Sequence, residues 1–160
     1  MIRRIALMLS IVSTPVAFAQ TATSCPWLTS GSAAKILGGG VTTVVRSSGN
    51  WEGSCRFTRQ TVKATETLEI LVGNADTHSC PEGSSKLKAI GNEAVQCRRS
   101  IAPGQETDTI AGRVRNVYFV VALTNVDGAI LGQPADARPA DPYGASPLER
   151  LAEQVSGNLY

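Results

Sequence analysis

Four cysteines, Cys25, Cys55, Cys80 and Cys97, all lie downstream of an N-terminal stretch that reads as an export signal. That combination restricts the chain to folds that covalent cross-links can staple. Met1 to Ala19 carries Arg3 and Arg4, the apolar run Ile5 to Val12, a break at Pro15 and small residues at Ala17 and Ala19, the layout of a secretory leader. Cleavage after Ala19 is expected, leaving Gln20 first. The apolar run is far shorter than the ~20 residues a membrane-spanning helix needs, and no later segment is longer. No transmembrane segment is therefore expected, and no cysteine stands at the cleavage point to carry a lipid. In an oxidising compartment an even cysteine count predicts two disulfides, and of the three possible pairings Cys25–Cys55 with Cys80–Cys97 crosses the least intervening chain. A metal site is the weaker alternative, since His78 beside Cys80 and Cys97 has no paired Cys-x-x-Cys spacing.

Removing residues 1–19 from a chain of 160 leaves 141, a length suited to one domain spanning 20–160. With Arg3 and Arg4 gone, thirteen basic residues face thirteen acidic ones. So balanced a chain has no global field to draw in nucleic acid or an anionic membrane, although a local patch remains open.

Along the chain, Thr29 to Leu37 predicts a short helix, with Thr29 as cap and Gly38-Gly39-Gly40 as stop. Val41 to Arg46 and Ser54 to Gln60 read as two strands joined through Ser47-Ser48-Gly49-Asn50. Leu68, Ile70 and Val72 mark a third strand, in which Glu69 and Leu71 occupy the other phase. Ala75 to Ser85 reads as a polar loop tied by the second bridge, followed by a strand from Ala94 to Arg99. Thr107 to Leu123 carries the strongest strand pattern, turning at Arg115-Asn116. Tyr118, Val120 and Ala122 are apolar enough to place its second arm centrally, covered on both faces. Asp127 to Tyr143, rich in proline, glycine and alanine, reads as an irregular connection. Ser146-Pro147-Leu148-Glu149 opens a terminal helix whose stripe is Leu148, Leu151, Ala152, Val155 and Leu159. The expected architecture is α+β: one mainly antiparallel sheet of about five or six strands, with a short N-terminal helix and a C-terminal amphipathic helix packed on it.

The segments Cys25-Pro26-Trp27-Leu28-Thr29, Ile36-Leu37-Gly38, Gly53-Ser54-Cys55-Arg56-Phe57, Ile90-Gly91-Asn92-Glu93-Ala94, Gly112-Arg113-Val114, Phe119-Val120-Val121 and Ala152-Glu153-Gln154-Val155 together resemble small exported bacterial proteins of unknown function, of the LpqN-like and PsbP-like α/β-sandwich type. The resemblance implies an α/β sandwich and an envelope location. It carries over no catalytic residue. Proteins of this kind are often lipid-anchored, and this chain lacks the anchoring cysteine.

Several short patterns invite a chemical reading. Ser32-Ala33-Ala34-Lys35 matches the Ser-x-x-Lys spacing of penicillin-recognising enzymes, but Ser-Asp-Asn and Lys-Thr-Gly are absent from the sequence, which favours an ordinary helix surface. His78 is the only histidine, so any Ser-His-Asp or Cys-His arrangement must use it, and its polar neighbours favour a solvated loop position. Glu52, Glu66 and Glu69 have no spacing that defines an acid/base pair. Gly38-Gly39-Gly40 follows a helix where a phosphate-cradling loop would precede one.

Arg56, Arg113 and Arg115 fall on the polar phase of their strands, with Arg59, Arg98 and Arg99 near them. Such a face can grip carboxylates or phosphates, or be a solvated face balanced by Glu66 and Glu69. Trp27 and Trp51 flank the first bridge, as a binding edge or as core. The expectation is a non-catalytic interaction or ligand-binding module of the envelope, without cofactor, whose partner is a protein or a small anionic ligand. The alternatives are a small envelope enzyme using Ser32 and Lys35 or His78, or an inhibitor presenting the 127–143 connection to a hydrolase.

Overall fold

The computed structural model describes residues 24–47, 49–75, 80, 84–127 and 146–160. The proposed leader, His78 and nearly all of the 127–143 connection lie outside them. The first element is helix α1, Ser30–Leu37. Thr29 caps it by accepting the Ser32 backbone N–H at 3.1 Å, and Gly38 ends it in the left-handed region at φ 76°. Seven strands come next: β1 (Thr42–Ser47), β2 (Gly53–Gln60), β3 (Ala64–Gly73), β4 (Ser85–Leu87), β5 (Glu93–Ala102), β6 (Gln105–Val114) and β7 (Val117–Asp127). Helix α2, Pro147–Gly157, closes the chain.

All strand pairings are antiparallel, in the order β1-β2-β3-β7-β6-β5-β4. Among the described residues the count is seven, not the five or six expected from sequence. The added strand, β4, is three residues long and too short to show an alternating pattern; only its pairing with Gln96, Val95 and Ala94 of β5 defines it. Strand β7 is the middle one of the seven, as its apolar content on both phases predicts.

Both helices pack on one face. Alternate residues Cys55 and Phe57 of β2, Leu68 and Ile70 of β3, Phe119 and Val121 of β7, and Ile110 and Val114 of β6 form the core with Ala33 and Leu37 of α1. The α2 stripe Leu148, Leu151, Ala152 and Val155 completes it, joined by Leu159 just beyond the helix. Trp27 is 1% exposed within this core, and its Nε1 donates to the Asn50 carbonyl at 2.8 Å. Asn158, just after α2, donates from Nδ2 to the Trp27 carbonyl at 2.9 Å, so the two ends of the domain meet. Arg59 of β2 reaches the Leu37 carbonyl at the C-terminus of α1 while pairing with Glu66 at 3.1 Å. A cation at that helix end is favoured by the macrodipole.

Ser146 accepts the Glu149 backbone N–H at 3.1 Å, and Pro147 occupies the first helical turn, as the capping motif predicts. Ser146→Ala should cost about 1 kcal/mol in urea unfolding. An unchanged midpoint would mean that α2 is held by its buried stripe alone.

Cys25 is bonded to Cys55, and Cys80 to Cys97. The strand register puts the two bridges on opposite faces. Cys55 shares the helix-covered face with Phe57, whereas Cys97 shares the other face with Val95.

Candidate functional site

Among the described residues the second face of the sheet carries no helix, and a concavity opens on it. Arg46 on edge strand β1 and Lys86 on edge strand β4 line the same cavity, of about 870 Å³, as Val120 on central β7. A single cross-strand row forms its floor. The register aligns Arg46, Ser54, Leu71, Val120, Ala111, Val95 and Lys86, one residue from each strand in spatial order. The row therefore begins and ends on a cation and is apolar over its four inner positions after Ser54. Val120 and Ala111 are buried although no described helix covers them.

The next row toward the β1–β2 turn is polar. Gly73, Tyr118, Arg113 and Glu93 align across β3, β7, β6 and β5, and Glu52 precedes β2 at the same end of the cavity. Arg113 Nε donates to Glu93 Oε1 at 2.6 Å. Neither Arg46 nor Lys86 takes part in an ion pair among the described residues. The row on the opposite side holds Arg56 against Glu69 at 2.9 Å, with Ala122 and Thr109 beyond.

The structure separates the arginines singled out from sequence. Arg56 and Arg113 share the concave face, and of the two only Arg113 lines the cavity. Arg115 is a turn residue at φ 55°, between β6 and β7. Its backbone N–H is accepted by Asn92 Oδ1, its carbonyl accepts Arg113 Nη1 at 3.4 Å, and its guanidinium lies 5.6 Å from the centre of the Tyr160 ring. These contacts hold a conformation uncommon for a residue with a Cβ. Arg59 and Arg98 are on the helix-covered phase, paired with Glu66 and Asp108, and Arg99 is exposed on β5. Trp27 is core, whereas Trp51 is 50% exposed and adjoins Glu52 and Gly53 of the cavity wall.

Ser32 belongs to the start of α1, where the Thr29 hydroxyl donates to its Oγ at 3.1 Å; Lys35 is exposed in the last turn. Both stand on an element packed against the face opposite the cavity. Among the described residues no group of three or more His, Cys, Asp or Glu is arranged to hold a metal ion, and no helix is long and apolar enough to cross a membrane.

The sequence reading did not single out Arg46, Lys86 or the inner floor as a site. Their signal lay in the apolar residues Leu71, Val95 and Val120 on the phase otherwise given to polar side chains. The described residues form a one-sheet α+β domain with both helices on one face and an apolar, cation-edged groove on the other. The chain matches no protein-family model and no curated protein in sequence.

Proposed function

We propose that this chain is an exported, disulfide-stapled ligand-binding module of the bacterial envelope, and that the helix-free groove is its binding site. The observation that carries the reading is the floor row: apolar side chains withdrawn from water on a face that no described helix covers, inside a cavity of about 870 Å³. Ligand sites are typically concavities of ~300–1,000 Å³ with apolar linings and a few placed polar groups. Two disulfides support an oxidising compartment, where such bonds persist, and this agrees with the leader-like residues 1–19. The resemblance to small exported envelope proteins belongs to the same reading.

Binding is favoured over catalysis by the composition of the wall. Arg113 is committed to Glu93, and the serine and lysine of the Ser-x-x-Lys pattern lie on α1, away from the groove. The groove offers charge and apolar area but no adjacent nucleophile and base among the described residues.

Ala111→Phe tests the assignment, because the added ring projects into the groove and not into the helix-packed core. Oxidised wild-type protein incubated with a small-molecule extract of the envelope is expected to hold a non-covalent adduct in native mass spectrometry. Ala111→Phe, with an unchanged far-UV spectrum, is expected to lose it. The same adduct on both proteins, or on neither, would sink the reading.

A further inference from the structure

The charges and shape of the groove narrow the choice of occupant, an inference that rests on the groove being the binding site. Among the described wall residues three cations, Arg46, Lys86 and Arg113, stand against two carboxylates, Glu52 and Glu93, an excess of one positive charge. An occupant with one negative charge neutralises it. Arg113 and Glu93 already satisfy each other, which leaves the two edge cations available. The five floor positions from Ser54 to Val95 lie on five adjacent strands, so their row runs about 19 Å across the sheet at the usual strand spacing. A compact polar metabolite would touch a fraction of that row and leave its apolar remainder exposed. A long, thin apolar body covers it. Arginine is the better anchor of the two edge cations, because its planar fork meets carboxylate or phosphate oxygens bidentately, whereas lysine presents a more strongly hydrated point charge.

We propose that the groove binds a linear anionic amphiphile, a long-chain carboxylate or an alkyl phosphate, whose apolar chain crosses the strands over Leu71, Val120, Ala111 and Val95 and whose acid group is held by Arg46 at the β1 edge. Removal of the chain from water supplies the affinity. The guanidinium sets the direction in which the chain lies.

The test uses the full oxidised chain and three probes below their aggregation limits: dodecanoate, dodecyl phosphate and 1-dodecanol. Binding is read from tryptophan fluorescence, Trp51 standing next in sequence to the wall residue Glu52, and confirmed by native mass spectrometry. At least one anionic probe is expected to bind tenfold or more tightly than 1-dodecanol. Arg46→Glu is expected to weaken that probe at least tenfold while leaving 1-dodecanol unchanged; the exposed turn variant Lys63→Glu, an equal change of charge, should weaken neither. Tighter binding of dodecanoate assigns a free fatty-acid-like ligand, and tighter dodecyl phosphate assigns a lipid phosphate. Equal binding of 1-dodecanol, indifference to Arg46→Glu, or no binding by any probe overturns the proposal. If the probes bind without regard to charge yet Ala111→Phe abolishes binding, the groove survives as a site and only the anion assignment falls. If Ala111→Phe changes nothing, the groove itself is the wrong site.

Discussion

Replacing Cys25 and Cys55 together by alanine is expected to destabilise the domain by about 4 kcal/mol, a large share of the ~5–15 kcal/mol that holds a typical domain folded. The bridge closes a separation of 30 residues, and its main effect is to restrict the unfolded chain. Cys80 and Cys97 are 17 residues apart, so their removal should cost less, about 3 kcal/mol, following the logarithmic dependence on loop length. Local structure widens the gap. Cys55 is fully buried between β2 and the segment leading to α1, so truncating it also leaves a void beside Phe57 and Trp27, whereas the second bridge stands on the helix-free face. Urea unfolding of the two double-alanine proteins gives the measurement. The first should lose about 2 M in midpoint at a slope ordinary for a small domain. A larger loss from the Cys80–Cys97 pair would show that the sheet, not the N-terminal segment, is where the fold depends on cross-linking.

Gly112→Val is expected to cost about 3 kcal/mol and to leave a fraction of the protein unfolded at moderate temperature. A Cβ at this position on β6 would stand 2.6 Å and 2.8 Å from Phe119 ring atoms and 2.9 Å from the Glu93 carbonyl oxygen. Phe119 is almost wholly enclosed by the core and cannot swing away, and the Glu93 carbonyl is backbone of the neighbouring strand. Gly112 thus exists so that the ring can lie over its backbone, across the pair Gly112–Phe119 that joins β6 to β7. In a Gly112→Ala background, Phe119→Leu should recover part of the lost stability, since it relieves the ring contact while the carbonyl contact remains. No recovery in thermal unfolding would locate the strain in the backbone of β5 and β6 alone.

Much of the fold is legible locally. Ser146-Pro147-Leu148-Glu149 specifies the start of α2 because a cap and a first-turn proline act within four residues, and the α2 stripe comes from helical spacing. The β6–β7 hairpin and the helix stop at Gly38 are read the same way. Strand β4 is not: Ser85-Lys86-Leu87 has no pattern of its own and becomes a strand by pairing with β5. Arg115 illustrates a different limit, since its place on the polar phase suggested a binding face, and the turn, Asn92 and Tyr160 make it structural.

Local patterns are enough for the even set of cysteines, the caps of α1 and α2, the main strands and the alternation that sends Phe57, Leu68, Ile70 and Val121 to one face. Each of these rests on interactions within a few residues or on a simple period. That Arg46, Leu71, Val120, Ala111, Val95 and Lys86 form one row follows from the pairing of the strands and from nothing local. Those residues are up to 74 positions apart in the chain, and what aligns them is the antiparallel order and register of seven strands. Register is a property of the assembled sheet, so no single strand carries the information that a groove lies there.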